Sequence, residues 1–165
     1  MGKLTILTLR LVLAAVLAGT LFVQAFMVPL LAIDLAEAGP GADAVRIPVI
    51  VLVVLGIIAV QVVLVCVWRL LTMARRGTVF SSAAFRYVDV VIGAVTAGAL
   101  LLFALGIVLA PGEEVAPGIV LLIGGAGLAV AGVALIVLVL RALLAQAVAI
   151  NAEATQLRTE LDEVI

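Results

Sequence analysis

The sequence contains no histidine, a single cysteine and few charged residues. Lysine and arginine number 9 and aspartate and glutamate 10, so that 12% of the 165 residues are charged, against roughly 25% in globular proteins. Without histidine, and with Cys66 alone, the usual zinc, haem and cysteine–histidine catalytic sets cannot be assembled, and no disulfide can form within one chain. We therefore predict no catalytic residue, no cofactor and no metal site, and we do not expect an enzyme.

What the sequence has instead is long uncharged runs. Hydrophobic residues make up 67% of the chain and the mean hydropathy is +1.51. The uncharged runs 11–33, 47–68, 90–112 and 115–140 contain 23, 22, 23 and 26 residues. A helix needs roughly 20 residues to cross a bilayer core about 30 Å thick. The runs lack the alternation of barrel strands, and the first is longer than the apolar part of a signal peptide. The sequence predicts an all-α, integral membrane bundle of four transmembrane helices.

These runs also predict the domain organisation. We place the spans at about 8–33, 47–71, 88–110 and 118–142, within a transmembrane domain of residues 1–146. Residues 147–165 are left as a C-terminal, cytoplasmic amphipathic helix. The lipid bilayer is the first predicted partner.

The orientation follows from the positions of lysine and arginine, because short basic loops stay in the cytoplasm. One predicted side carries eight of the nine basic residues and the other carries only Arg46. The eight are Lys3, Arg10, Arg69, Arg75, Arg76, Arg86, Arg141 and Arg158. We therefore expect both termini and the loop 73–87 to face the cytoplasm.

Prolines and small residues predict details of the helices. Pro29 predicts a kink or an end of the first helix, and Pro48 and Pro117 suit the early turns of the second and fourth. Two small-xxx-small patterns, Gly93/Ala97 and Gly127/Ala131, let helix backbones approach closely. Such faces suit packing within the chain or a homo-oligomer.

Intramembrane polar residues are the first place to look for function. Gln61 lies near the middle of the second span and Gln24 just beyond the middle of the first. Glutamines of this kind form hydrogen bonds between helices, or they line a polar substrate path; packing is the favoured interpretation.

Asp89 is a carboxylate on the basic side, at the mouth of the third span. It lies within reach of Arg86, with Arg69 and Arg141 as further partners. A structural ion pair is favoured over a proton or cation relay, since a pump would place its carboxylate nearer the midplane.

The loop between the second and third spans combines basic and aromatic residues. Arg75, Arg76, Phe80, Phe85 and Arg86 suit an interfacial anchor, and they also suit a docking surface for a cytosolic partner.

Beyond the fourth span, apolar or small residues recur at alternating spacings of four and three, a heptad pattern. They are Ala147, Ile150, Ala154, Leu157, Leu161 and Val164. The helix is net acidic, whereas a helix that lies on an anionic membrane is basic. We predict docking at Leu157, Arg158 and Leu161. The occupant is the chain's own loop 73–87, a second copy in a coiled coil, or a separate cytosolic protein.

The loop and the tail resemble those of the DUF2975 family of small four-helix bacterial membrane proteins. The resemblance rests on a G-x-x-F-[S/T] segment, here Gly77, Phe80 and Ser81, and on an acidic amphipathic end, here TQLRTELDEVI. Many relatives have Asn where this chain has Ala84, while the basic Arg86 is kept. The family implies a bacterial inner membrane and, by association, a cytosolic helix-turn-helix regulator as partner. No direct contact of this chain with nucleic acid is expected.

Two functions follow from these patterns. The first is a regulatory or sensor-like membrane partner of a cytosolic protein, which uses the loop and the tail. The second is a small transporter or channel subunit, in which Gln24, Gln61 and Asp89 line a path between helices.

Overall fold

The computed structural model describes residues 3–37, 43–75, 82–111 and 115–164, and these residues are almost entirely helical. The helices are α1 (Lys3–Phe22), α2 (Val28–Glu37), α3 (Asp43–Arg75), α4 (Ser82–Leu109) and α5 (Pro117–Val164), and a π-helical turn, Val23–Met27, joins α1 to α2. The prediction of an all-α protein is confirmed.

Four helical stretches of the described chain are long and apolar enough to cross a membrane. They are Leu7–Glu37, Val45–Met73, Phe85–Leu109 and Pro117–Glu160. Little of their surface is covered by protein, and the buried hydrophobic side chains of the described residues are few, among them Leu13, Cys66 and Ala134. A water-soluble protein rarely exposes such large apolar patches, so these faces suit hydrocarbon rather than water.

Pro29 changes the first span without ending it. A proline has no N–H to donate to the carbonyl four residues back, here that of Ala25, so the regular ladder cannot continue. The chain responds with a π turn, in which the N–H of Val28 donates to the carbonyl oxygen of Val23. Helical structure then continues to Glu37. Of the two predicted effects of Pro29, a kink or an end of the helix, the end is therefore excluded.

The two other prolines differ in position. Pro117 is the first residue of α5, as predicted. Pro48 lies inside α3, because that helix begins at Asp43 rather than near residue 47; the early-turn prediction for Pro48 is wrong. The extra residues precede the apolar run, where Asp43 and Arg46 extend the helix beyond the predicted span.

Extended packing in the described residues joins helices that are neighbours along the chain. α1 and α2 pack on α3, α3 packs on α4, and α4 packs on α5. α5 contacts α4 at Gly127, where an added Cβ atom would lie 3.4 Å from Leu102 Cβ and 3.5 Å from the Phe103 ring. Gly127 therefore serves helix packing, as its sequence pattern predicts.

The pattern Gly93/Ala97 makes no close helix contact with the described part of the chain. A Cβ atom added at Gly93 would meet no atom within 4 Å, and Ala97 is exposed. This face of α4 stays open to the surroundings of the molecule.

α5 is much longer than a bilayer requires. Its 48 residues extend over roughly 72 Å at 1.5 Å per residue, more than twice a hydrocarbon core of about 30 Å. The last third continues from the span as one helix without a break.

Candidate polar sites and the exposed tail

The two glutamines predicted inside the membrane are bonded to each other. Nε2 of Gln61, on α3, donates to Oε1 of Gln24 at 3.0 Å, and both side chains are half-buried. Gln24 lies in the π turn, Val23–Met27. A π turn often marks a functional position in a helix, because its extra residue re-aims the neighbouring side chains. The amide pair joins the first candidate span to the second near the middle of both, Leu7–Glu37 and Val45–Met73.

Asp89, on α4, forms an ion pair with Arg141 of α5. Nη2 of Arg141, on α5, donates to Asp89 Oδ2 at 2.9 Å, and Arg141 Nε lies 2.5 Å from Asp89 Oδ1. The first contact is a hydrogen bond; the second contributes through charge, since Nε has no well-aligned acceptor. With 37% of the Arg141 side chain and 49% of the Asp89 side chain exposed, the pair lies at the edge of the α4–α5 contact.

The structure thus separates the three intramembrane candidates. Gln24 and Gln61 meet between the first span and α3, whereas Asp89 is bound to Arg141 between α4 and α5. No described residue links the two pairs through hydrogen bonds, and no described group of histidine, cysteine or acidic residues has the arrangement of a metal site.

A third cluster, which the sequence did not predict, surrounds Arg10. Its Nη2 donates to Thr72 Oγ1 at 2.9 Å, and its guanidinium lies 5.7 Å from the ring centroid of Trp68. The Thr72 hydroxyl in turn donates to the carbonyl oxygen of Trp68 at 2.9 Å. The register of the first span against α3 could have predicted this contact. Because the two helices are antiparallel, a pairing of Gln24 with Gln61 brings Arg10 to the last turns of α3.

The predicted docking residues of the loop are only partly described. Arg76 and Phe80 lie outside the described residues, and for Arg75 the structure gives the helical backbone alone. Phe85 is half-buried and Arg86 is exposed, both in the first turns of α4.

The tail is the most exposed part of the described chain. Every residue from Ala149 to Glu160 is exposed, including the heptad positions Ile150 (66%) and Leu157 (56%). Arg158 is exposed beside them, and Leu161 is described in its backbone only. No described residue covers this apolar stripe.

Comparison with known proteins gives a family but no relative of known function. The model of a family described as "Protein of unknown function (DUF2975)" matches residues 30–165. No curated protein and no solved structure matches the chain.

Proposed function

The chain belongs to the DUF2975 family of proteins of unknown function, and from its surfaces we propose that it is a multi-pass protein of the bacterial inner membrane that binds a cytosolic regulatory protein. The tail of α5 and the loop 73–87 would form the cytoplasmic docking face. Binding there would hold or release the partner in response to the state of the membrane domain.

The observation that carries this proposal is the uncovered apolar stripe on the tail. Leucine and isoleucine side chains in water lose the stabilisation of burial, about 1.5–3 kcal/mol each. Ile150 and Leu157 are both more than half exposed. Both lie so far from the start of α5 that they cannot be within the bilayer that the first part of the helix crosses. A partner surface that covers the stripe would recover this free energy.

Charge favours a protein over lipid as that partner. Between the stripe positions the tail carries Glu153, Arg158, Glu160, Asp162 and Glu163, which makes it net acidic. An acidic amphipathic helix is repelled by anionic lipid and suits a groove with apolar walls and a basic rim. A regulator of the helix-turn-helix type would offer basic surface of this kind.

The basic residues support the orientation. Arg69 and Arg75 lie near the C-terminal end of α3, and Arg86 lies near the N-terminal end of α4. Arg141 of α5 binds Asp89 at the same end of α4, whereas Arg46 is at the other end of α3. The positive-inside rule assigns the side with more lysine and arginine to the cytoplasm.

The test is site-specific photo-crosslinking in cells from two positions on the same helix. A photoreactive residue at Leu157 lies on the apolar stripe, and one at Thr159 lies on the opposite face, since two residues rotate a helix by about 200°. The proposal expects an adduct with a distinct cytosolic protein from Leu157 and much less from Thr159. The adduct should weaken when Arg75 and Arg76 are replaced by glutamate, with membrane insertion unchanged.

The other occupants predict different adducts. Adducts between two copies of the chain from Leu157 would make the stripe a coiled-coil interface, and adducts within one copy would place it on the chain's own loop. Either result without a distinct protein would refute the proposed function.

A second candidate, a small transporter or channel subunit, is favoured by one observation: a hydrogen-bonded Gln24 in a π turn near the middle of a span. That function requires solute flux in proteoliposomes, and the flux should be lost in Gln61→Leu. Proteoliposomes that stay sealed under each imposed gradient would remove it.

A further inference from the structure

The first span and α3 enclose a groove with a cationic end. Its walls include Leu13, Leu17 and Leu21 of α1 and Leu64 and Val65 of α3, and Trp68 and Arg69 close one end. Its volume is about 390 Å³, and Leu13 to Leu21 extend over about 12 Å at 1.5 Å per residue.

Two arginines stand at that end of the groove. Arg69 lines it directly, and Arg10 lies over the Trp68 ring, one turn before Leu13. Thr72 binds one amino group of Arg10, so the guanidinium is fixed in place while N–H groups of its other amino nitrogen have no described acceptor. Asp89 of α4 is an acidic side chain at this end of the helices, and Arg141 already binds it. The described acidic side chains of the tail, Glu153 and Glu160, lie farther along α5.

The chemistry of the groove matches a lipid with a negatively charged headgroup. Arginine N–H groups bind phosphate oxygens through strong, charge-assisted hydrogen bonds, and tryptophan prefers the headgroup level of a bilayer. The leucine and valine walls beyond them suit an acyl chain. Basic pockets between transmembrane helices are known sites for anionic lipid headgroups.

We propose that the groove between the first span and α3 is a binding site for one anionic phospholipid, with its phosphate at Arg69 and Arg10 and an acyl chain along Leu13, Leu17 and Leu64. The proposal requires insertion in the membrane and is independent of any cytosolic partner.

Trp68 is the only tryptophan of the chain, so it reports directly on lipid in the groove. The protein is reconstituted in vesicles of fixed composition, phosphatidylglycerol with phosphatidylcholine. In one set the phosphatidylglycerol carries bromine near the glycerol backbone, and in the other the phosphatidylcholine carries it. Bromine quenches indole fluorescence on contact, and the two sets differ only in which lipid is labelled.

The site predicts stronger quenching by the brominated anionic lipid, with about a thirtyfold preference, the factor expected from two arginines at about 1 kcal/mol each. Arg69→Gln should lower the preference to about fivefold, the share of Arg10, and Arg69→Lys should keep it. Arg46→Gln removes the same charge from the opposite end of α3 and should leave the preference unchanged.

Three results would overturn the proposal. They are equal quenching by the two lipids in the wild-type protein, a preference that Arg69→Gln leaves unchanged, and a preference that Arg46→Gln lowers as much as Arg69→Gln does. The last would show that total charge, rather than the groove, selects the lipid. No hydrogen bond or ion pair joins Arg69 to another described residue, so its replacement removes no described polar contact of the fold.

Discussion

Gly127 gives the sharpest test of how α4 and α5 pack. The Cβ atom of Gly127→Ala would lie 3.4 Å from Leu102 Cβ and 3.5 Å from two ring atoms of Phe103. These are ordinary van der Waals distances, so alanine fits without moving either helix. Alanine also favours helix over glycine by roughly 1 kcal/mol. We expect the free energy of unfolding of Gly127→Ala to equal or slightly exceed that of the wild type.

Gly127→Leu should behave differently, because the atoms beyond Cβ must enter space that Leu102 and Phe103 occupy. Overpacking of this kind costs about 1–3 kcal/mol. Gly125 is the matched control: a Cβ atom there would meet no atom within 4 Å, so Gly125→Leu points into open space and should be close to neutral.

The assay is reversible unfolding of the purified protein in mixed detergent micelles, with helix content as the readout. The predicted order of stability places Gly127→Leu below Gly125→Leu, and Gly127→Ala at or above the wild type. Equal unfolding free energies for the two leucine variants would refute the close approach of α4 and α5 at Gly127.

Two further predictions concern the polar pairs. In a double-mutant cycle with Gln24→Leu and Gln61→Leu, the coupling free energy should be about 0.6 kcal/mol and no more than about 1.7 kcal/mol, the range of interhelical hydrogen bonds in membranes; zero coupling would contradict the bond. Asp89→Asn should lower the free energy of unfolding by about 0.2–1 kcal/mol, since the pair with Arg141 is well exposed. The double variant Asp89→Arg with Arg141→Asp exchanges the two charges and should recover most of the lost free energy of unfolding. If it does not, Asp89 acts through a group other than Arg141.

The apolar runs were enough to predict the helices, because length and hydropathy alone decide whether a segment can cross a bilayer. The run 47–68 lies within α3. The run 90–112 begins within α4 and extends three residues past its end. The helix ends were harder to predict. Asp43 and Arg46 are charged, so the pattern of uncharged residues could not include them in α3, although the helix continues through both.

Residue pairing depended on information that one sequence does not contain. Three arginines, Arg69, Arg86 and Arg141, lay at the same end as Asp89, and the choice of Arg141 depends on which faces of α4 and α5 meet. Likewise Gly93 and Gly127 belong to equivalent patterns, and only the packing of the helices decides that Gly127 is used within the chain.

The cluster at Arg10 was missed for a related reason. Its partner Thr72 forms a common hydrogen bond with the carbonyl oxygen of Trp68, four residues back, and gives no distinctive sequence signal. The contact arises from the register of two antiparallel helices, which the bond between Gln24 and Gln61 also reflects.

The central claim, that the tail of α5 is presented to the cytoplasm, is tested most directly by the sidedness of single cysteines. Cys66 is the only cysteine and is buried, so Cys66→Ala gives a background without thiols. Thr159→Cys then reports on the tail, and Ala36→Cys, exposed near the end of α2, reports on the opposite side. Both are treated with a membrane-impermeant maleimide in cells with an intact inner membrane. The account predicts that Ala36→Cys is labelled at once and Thr159→Cys only after permeabilisation; labelling of Thr159→Cys in sealed cells would contradict it.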